Sequence, residues 1–121
     1  MIREFVMTEL FDASWEEQKL TDNDLRILQD ELLRNSKLGA VMRGTGGFRK
    51  MRYAPAGQGK SGGLRVVYLD IQEFETLYLM LSYPKGEKDT LSKAECNTLK
   101  QISLNIKKNL KATKGKGINH G

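Results

Sequence analysis

Two neighbouring stretches of the chain are apolar on both faces of an extended strand, and they constrain the fold more than any other feature. In the first stretch, one predicted face carries Arg65, Val67, Leu69 and Ile71, and the other carries Leu64, Val66 and Tyr68. Residues 76–83 repeat the pattern after a turn at residues 70–74. A strand that is apolar on both faces is covered on both faces. We therefore predict two adjacent strands at the centre of a sheet.

The rest of the chain supplies the elements that cover this sheet. The predicted elements are a strand over residues 2–8, helices over 9–20 and 21–34, a strand over 48–54, and a last helix that opens at Ser92. Thr21 is the expected N-cap of the second helix, and Trp15 is an expected core anchor. The order predicts an α+β domain: a small antiparallel sheet with two N-terminal helices and one C-terminal helix.

The length and the cysteine count limit the organisation of the chain. With 121 residues the chain is long enough for one core, and we predict a single domain over residues 1–112. Residues 113–121 have almost nothing to bury and are predicted to form a flexible basic tail, which includes His120. The single cysteine, Cys96, cannot form an internal disulfide. With no signal peptide and no apolar run of membrane-spanning length, we expect a cytoplasmic protein.

The basic residues are concentrated in the middle of the chain. Residues 1–31 carry a net charge of −6, residues 32–69 carry +8 with no acidic residue, and residues 70–121 carry +3. Five of the eight cations in the middle segment are arginines, which bind phosphate with a planar fork. Clustered cations without acidic neighbours attract phosphate backbones. This segment therefore indicates a nucleic-acid partner.

Residues 54–61 match a relaxed phosphate-binding loop, Ala-Pro-Ala-Gly-Gln-Gly-Lys-Ser, which would make the protein a nucleotide hydrolase. Such a loop needs a helix directly after it, because the helix N-terminal amides hold the phosphates. Here a predicted strand follows at Leu64. We therefore interpret the segment as a glycine-rich hinge between antiparallel strands that presents Lys60.

The remaining chemistry is that of lysine, arginine and tyrosine. The sequence offers no metal-binding constellation and no nucleophile paired with histidine, so no cofactor is expected. RNA can be cleaved by such groups, because its own 2′-hydroxyl attacks the adjacent phosphate. The same cations could instead only bind phosphates, and the residue types alone leave both possibilities open.

Residues 38–90 resemble the RelE/ParE superfamily of bacterial toxins, and more closely its HigB-type, phage Gp49-like branch. The segments that carry the resemblance are residues 37–39, the basic strand with its glycines over 44–52, the Gly/Lys hinge with the Arg-Val-Val-Tyr strand over 57–68, and residues 83–88. The resemblance implies a compact, microbial-ribonuclease-like fold and cleavage of mRNA in the A site of a translating ribosome. It also implies a helix-turn-helix antitoxin of the HigA kind, through which the pair would contact operator DNA.

The resemblance also assigns residues to the site. The positions that match the family's basic site residues are Lys50, Arg52, Arg65 and Lys85, with Lys88 following. We add Lys60 of the hinge and predict these five as catalytic residues: Lys50, Arg52, Arg65, Lys60 and Lys85, with Arg65 on the scissile phosphate. Arg43, Arg49 and Lys88 are the predicted RNA-binding residues. The family has a further arginine where this chain has Gly86, and a tyrosine where this chain has Leu91-Ser92. The general base and acid are therefore open, with Tyr83 and Lys60 as candidates.

Two other functions remain open at this point. A ParE-like protein would inhibit DNA gyrase and cleave no RNA, and a third possibility is a nucleic-acid-binding module without catalysis. The density of cations on the predicted strands favours the nuclease over the gyrase inhibitor.

Overall fold

The computed structural model describes residues 2–55, 63–86 and 90–119, the last six of these through their backbone alone. The elements in chain order are β1 (Glu4–Met7), α1 (Glu9–Glu17), α2 (Asp22–Arg34), β2 (Ala40–Val41), β3 (Arg49–Tyr53), β4 (Leu64–Ile71), β5 (Thr76–Pro84) and α3 (Lys93–Asn119). The predicted α+β architecture with two N-terminal helices and one C-terminal helix is confirmed. In the described part of the chain, no helix is both long and apolar enough to cross a membrane.

The sheet has five strands in the order β1-β5-β4-β3-β2. The strands from β2 to β5 pair antiparallel, and β4 and β5 lie inside the sheet as predicted. Two features differ from the sequence-based expectation. β1 pairs parallel with β5, because α1 and α2 carry the chain back across the sheet before the remaining strands begin. β2 is a two-residue edge strand, and it lies between residues 34 and 48, where the sequence predicted no helix or strand.

Each face of the sheet has its own core. On one face, α1 and α2 pack against side chains such as Met51, Val66 and Tyr68. On the other face, α3 packs against Phe48, Val67 and Leu69. The period-two assignment of residues 64–71 is therefore confirmed. Arg65 lies on the face that α3 covers, which we call the α3 face, and the same alternation along β3 places Lys50 and Arg52 on that face.

Trp15 anchors α1 to α2, as the sequence predicts. The indole is 6% exposed, stacks on Phe11 with ring centroids 5.2 Å apart, and donates through Nε1 to the carbonyl of Thr21. Thr21 caps α2 in a capping box with Asp24. The short loop between the two helices is thus held at both ends.

A glycine turn between β2 and β3 holds α3 in place. The Gly46 carbonyl accepts hydrogen bonds from Ser103 Oγ at 2.7 Å and from Lys107 Nζ at 3.2 Å. Gly46 has φ +76°, and a Cβ there would lie 2.9 Å from Ser103 Cβ, so the turn requires glycine. The turn therefore fixes the position of α3 relative to β2 and β3.

The backbone of α3 continues as helix to Asn119. The boundary expected at residue 113, between the domain and a flexible tail, stays a prediction.

Tyr68 ties the end of α2 to the sheet. Its hydroxyl donates to the Ser36 carbonyl at 2.7 Å and accepts from the Gly39 amide at 2.9 Å. Tyr68→Phe would leave two buried backbone groups without partners, so we expect the free energy of unfolding to fall by about 1–3 kcal/mol. Urea denaturation measures the loss. Tyr78→Phe is the control, because that half-buried ring lies on the α3 face, and a cost equal to that of Tyr68→Phe would contradict the account.

Candidate nucleic-acid interface

A row of polar side chains crosses three strands on the α3 face. Arg52 of β3 is directly opposite Arg65 of β4, and Arg65 is directly opposite Tyr83 of β5. Directly opposed residues on one face have Cβ atoms about 5 Å apart. Lys50 lies two residues before Arg52 and is therefore a diagonal neighbour of Arg65. The structure thus brings together four of the residues that the sequence singled out.

Arg65 is the most unusual member of this row. Its side chain is partly buried, and its Nη1 atom is buried without a hydrogen-bond partner among the described residues. A second arginine stands directly opposite it, which is an unfavourable arrangement of like charges. A buried guanidinium nitrogen without an acceptor costs stability, about 1–3 kcal/mol or more. An anion bound on this face would supply the missing acceptor.

Two further cations lie near the row. The amide of Lys85 donates to the Gly63 carbonyl at 3.4 Å, which places the exposed Lys85 at the same end of the sheet as Arg65. Arg43 and Lys50 share the wall of an open cleft of about 240 Å³ with Met42, Thr90, Leu91 and Cys96. The predicted site residues Lys60 and Lys88 lie outside the described residues.

Arg49 is on the other face of the sheet from Lys50 and Arg52. It stands directly opposite Tyr68 and donates through Nη1 to the Gly39 carbonyl at 2.7 Å. This hydrogen bond braces the segment before β2. The structure therefore does not bring Arg49 together with the other predicted RNA-binding residues.

The acidic N-terminal helices cover the face opposite to this row. Among the described residues, no group of three or more histidine, cysteine or acidic side chains could hold a metal ion.

Residues 5–119 match the protein family described as the RelE toxin of the RelE/RelB toxin–antitoxin system. The chain belongs to the RelE toxin family. Among solved structures, a mutant of the E. coli toxin RelE in the free state is 19% identical to this RelE-family chain. That match covers 87% of this chain and 97% of the E. coli protein, with a TM-score of 0.46. The predicted membership of the RelE/ParE superfamily is confirmed by the family match.

Three tyrosines of this RelE-family protein have a raised pKa. Burial and the nearby Asp24 raise the pKa of Tyr53 to about 12, and burial raises the pKa of Tyr68 and of Tyr78. At neutral pH all three are neutral phenols, and the Tyr53 and Tyr68 hydroxyls already donate to backbone carbonyls. Both of these rings lie in the core on the side of α1 and α2. Tyr83, 8% exposed, is the tyrosine directly opposite Arg65.

The wall that α3 contributes was not predicted from the sequence of this RelE-family chain. Cys96 is in the first turn of α3 and Leu91 lies two residues before the helix, yet both border the same cleft as Lys50. The signal that could have indicated this is Gly46, which permits α3 to approach the turn beside Arg43 closely. The two segments are more than forty residues apart, so periodicity alone does not connect them.

Proposed function

We propose that this RelE-family toxin belongs to the HigB-type branch and cleaves mRNA in the A site of a translating ribosome. One observation carries the proposal. The row of Arg52, Arg65 and Tyr83 contains a guanidinium nitrogen that is buried without an acceptor among the described residues. A phosphodiester is an anion whose oxygens match a guanidinium fork.

The proposed reaction uses the RNA's own nucleophile. The 2′-oxygen forms a bond to the adjacent phosphorus, the bond from phosphorus to the 5′-oxygen breaks, and a 2′,3′-cyclic phosphate results. Arg65 binds the phosphate and stabilises the charge that develops on its oxygens. Lys50 and Arg52 hold the backbone in line for attack. One proton leaves the 2′-hydroxyl and one reaches the 5′-oxygen.

Lys50 and Tyr83 are the proposed groups for these proton transfers, because they flank Arg65 on the same face. Lys85 and Arg43 extend the phosphate-binding surface at the two sides of the row. Lys60 and Lys88 complete the site in this proposal. Arg49 is not part of the proposed site, because its side chain lies on the opposite face of the sheet and donates to the Gly39 carbonyl.

The proposed partners follow from the family. A ribosome would present the mRNA, and a helix-turn-helix antitoxin of the HigA kind would neutralise the toxin. Operator DNA would be bound only through that antitoxin. The proposed place of action is the cytoplasm.

Mapping of mRNA ends in cells that express the protein tests the proposal. We expect new ends within coding regions, in phase with codons, that disappear when the start codon of the reporter mRNA is removed. Intact mRNA together with gyrase-dependent DNA breaks would show a ParE-like inhibitor. Intact mRNA without DNA breaks would leave only a binding module, and either result would refute the proposal.

A further inference from the structure

A polar cleft lies at the edge of β5, at the level where β1 ends. β1 pairs with β5 only as far as Met7 and Leu79, so beyond Leu79 this edge of the strand faces α1 and not another strand. The cleft has a volume of about 180 Å³. It is lined by residues from the end of α1 and the end of β5: Ser14, Glu17, Gln18, Ser82, Tyr83 and Pro84. We call it the α1–β5 cleft.

A hydrogen-bond network uses the donor hydrogens of the cleft wall. The Ser82 amide donates to Ser14 Oγ at 3.0 Å, and Ser14 Oγ donates to the Phe11 carbonyl at 2.9 Å. Because that leaves Ser14 no further hydrogen, the Ser82 hydroxyl is the donor in the 3.1 Å contact between the two hydroxyls. Gln18 Nε2 donates to Ser82 Oγ at 2.8 Å and to the Ser14 carbonyl at 3.1 Å. These side chains therefore offer a ligand acceptors only.

The other lining groups also favour a ligand that donates hydrogen bonds. Glu17 is exposed, and an ionised carboxylate only accepts. Pro84 has no amide hydrogen, and its ring supplies an apolar wall. The amino group of adenine, cytosine or guanine is a donor on the edge of a flat ring and matches such a wall. Uracil would instead turn a carbonyl oxygen toward the carboxylate.

Lys19, the residue after Gln18, has a backbone conformation that glycine normally supplies. Its φ is +61°, in the left-handed region, and its amide donates to the Glu16 carbonyl at 2.9 Å where α1 ends. A lysine in this conformation is strained, and strained residues are concentrated at functional sites. Lys19 is exposed, and so is Lys85, which follows Pro84. Each wall of the cleft is thus followed in the chain by an exposed cation.

The α1–β5 cleft continues the row of Arg52, Arg65 and Tyr83. Tyr83 is the last member of the row, and it also lines the cleft. Neighbouring strands are about 4.8 Å apart, so the cleft beyond β5 is about 10 Å from the backbone of Arg65. An RNA strand that passes over the edge of β5, with a phosphate at Arg65, therefore reaches the cleft with an adjacent nucleotide.

We propose that the α1–β5 cleft binds the base of a nucleotide beside the scissile phosphate and selects a base with an amino group over uracil. Glu17 accepts from the amino group, and Lys19 and Lys85 bind the flanking phosphates. This inference rests on the proposed function. An arginine side chain of a protein partner would also supply donors, but the two lysines beside the cleft would repel it.

Glu17→Gln tests the base contact, because it keeps the length of the side chain and replaces an acceptor-only carboxylate with an amide that also donates. The probes are the 3′-monophosphates of adenosine, cytidine, guanosine and uridine, titrated into the full chain and followed by two-dimensional NMR. We expect the wild type to bind the uridine nucleotide about tenfold more weakly than the others, and Glu17→Gln to lose this preference. Glu16→Gln is the matched control, because Glu16 is an exposed neighbour that does not line the cleft, and it should keep the preference.

Lys19→Gly tests the phosphate contact. We expect all of these nucleotides to bind about two- to fivefold more weakly, with the base preference kept, because one exposed cation is lost. Tm should rise by about 2–4 °C, because glycine adopts the left-handed conformation without strain. Unchanged nucleotide affinity in this variant would overturn the inference.

Mapping of mRNA ends extends the test to the proposed substrate. We expect uridine to be depleted at one fixed position beside the wild-type cuts, and to return to its background frequency with Glu17→Gln. Wild-type binding without a base preference, a preference that Glu17→Gln retains, or cut sites that the variant leaves unchanged would overturn the inference, even if the wild type cleaves mRNA. Base-selective binding that Glu17→Gln removes, together with intact mRNA, would refute the proposed function alone.

Discussion

Arg65→Met should abolish mRNA cleavage and at the same time make the protein more stable. Loss of one preorganised donor to a developing oxyanion lowers kcat about 10²–10³-fold. Methionine keeps most of the volume but removes a buried nitrogen without an acceptor and the repulsion from Arg52. We therefore expect the free energy of unfolding to rise by about 1 kcal/mol and Tm by about 4 °C. Cleavage of ribosome-bound mRNA and thermal unfolding measure the two effects.

Arg26→Met is the matched control, because Arg26 is exposed on α2 on the other side of the sheet. It should change neither the cleavage rate nor Tm. A destabilised Arg65→Met protein would show that Arg65 stabilises the fold. An Arg65→Met protein that still cleaves mRNA at the wild-type rate would show that Arg65 is not part of the catalytic site. The opposed effects on activity and stability are what distinguish a residue kept for function.

Asp70→Asn should destabilise the protein more than any other single change considered above. Arg3 Nε donates to Asp70 Oδ1 at 2.7 Å, and both side chains are 7% exposed. This pair connects the segment before β1 to β4 across the intervening β5. The hydrogen bond from Arg3 to Asp70 raises the pKa of the guanidinium. A guanidinium is protonated at neutral pH even without a partner, so Arg3 stays charged when Asp70 is replaced. Leaving that charge unpaired costs about 3–5 kcal/mol in the free energy of unfolding, a large part of a typical total.

The double variant Arg3→Met, Asp70→Leu is the control for this prediction. It replaces both charges with apolar groups, and replacement of a whole buried pair is often nearly neutral. Urea denaturation of the wild type, Asp70→Asn and the double variant measures the difference. An Asp70→Asn protein within about 0.5 kcal/mol of the wild type would show that the pair contributes nothing to stability.

Local patterns in the sequence predicted most of the elements. Thr21 and Ser92 mark helix starts through side-chain hydrogen bonds within four residues, so the sequence alone reveals them. The central position of β4 and β5 followed from apolar side chains on both faces, and the period of two placed Lys50 and Arg52 on the face opposite to Arg49. These features depend on neighbours along the chain.

Features that depend on distant contacts were not predicted. β1 pairs parallel with β5, seventy residues away, and no local pattern specifies that partner. β2 is only Ala40 and Val41, and it follows Gly39, where a Cβ would lie 2.8 Å from the Lys50 carbonyl oxygen. The bracing role of Arg49 likewise needs the Gly39 carbonyl, which only the folded chain brings near.

The most direct test of the account is the chemistry of mRNA cleavage on purified ribosomes programmed with a defined message. The wild type should cut within the A-site codon, leave a 2′,3′-cyclic phosphate on the upstream fragment, and spare the same RNA without ribosomes. Arg65→Met should bind the ribosomes and leave the message intact. Cleavage by Arg65→Met at the wild-type rate, or 3′-hydroxyl ends from the wild type, would contradict the account.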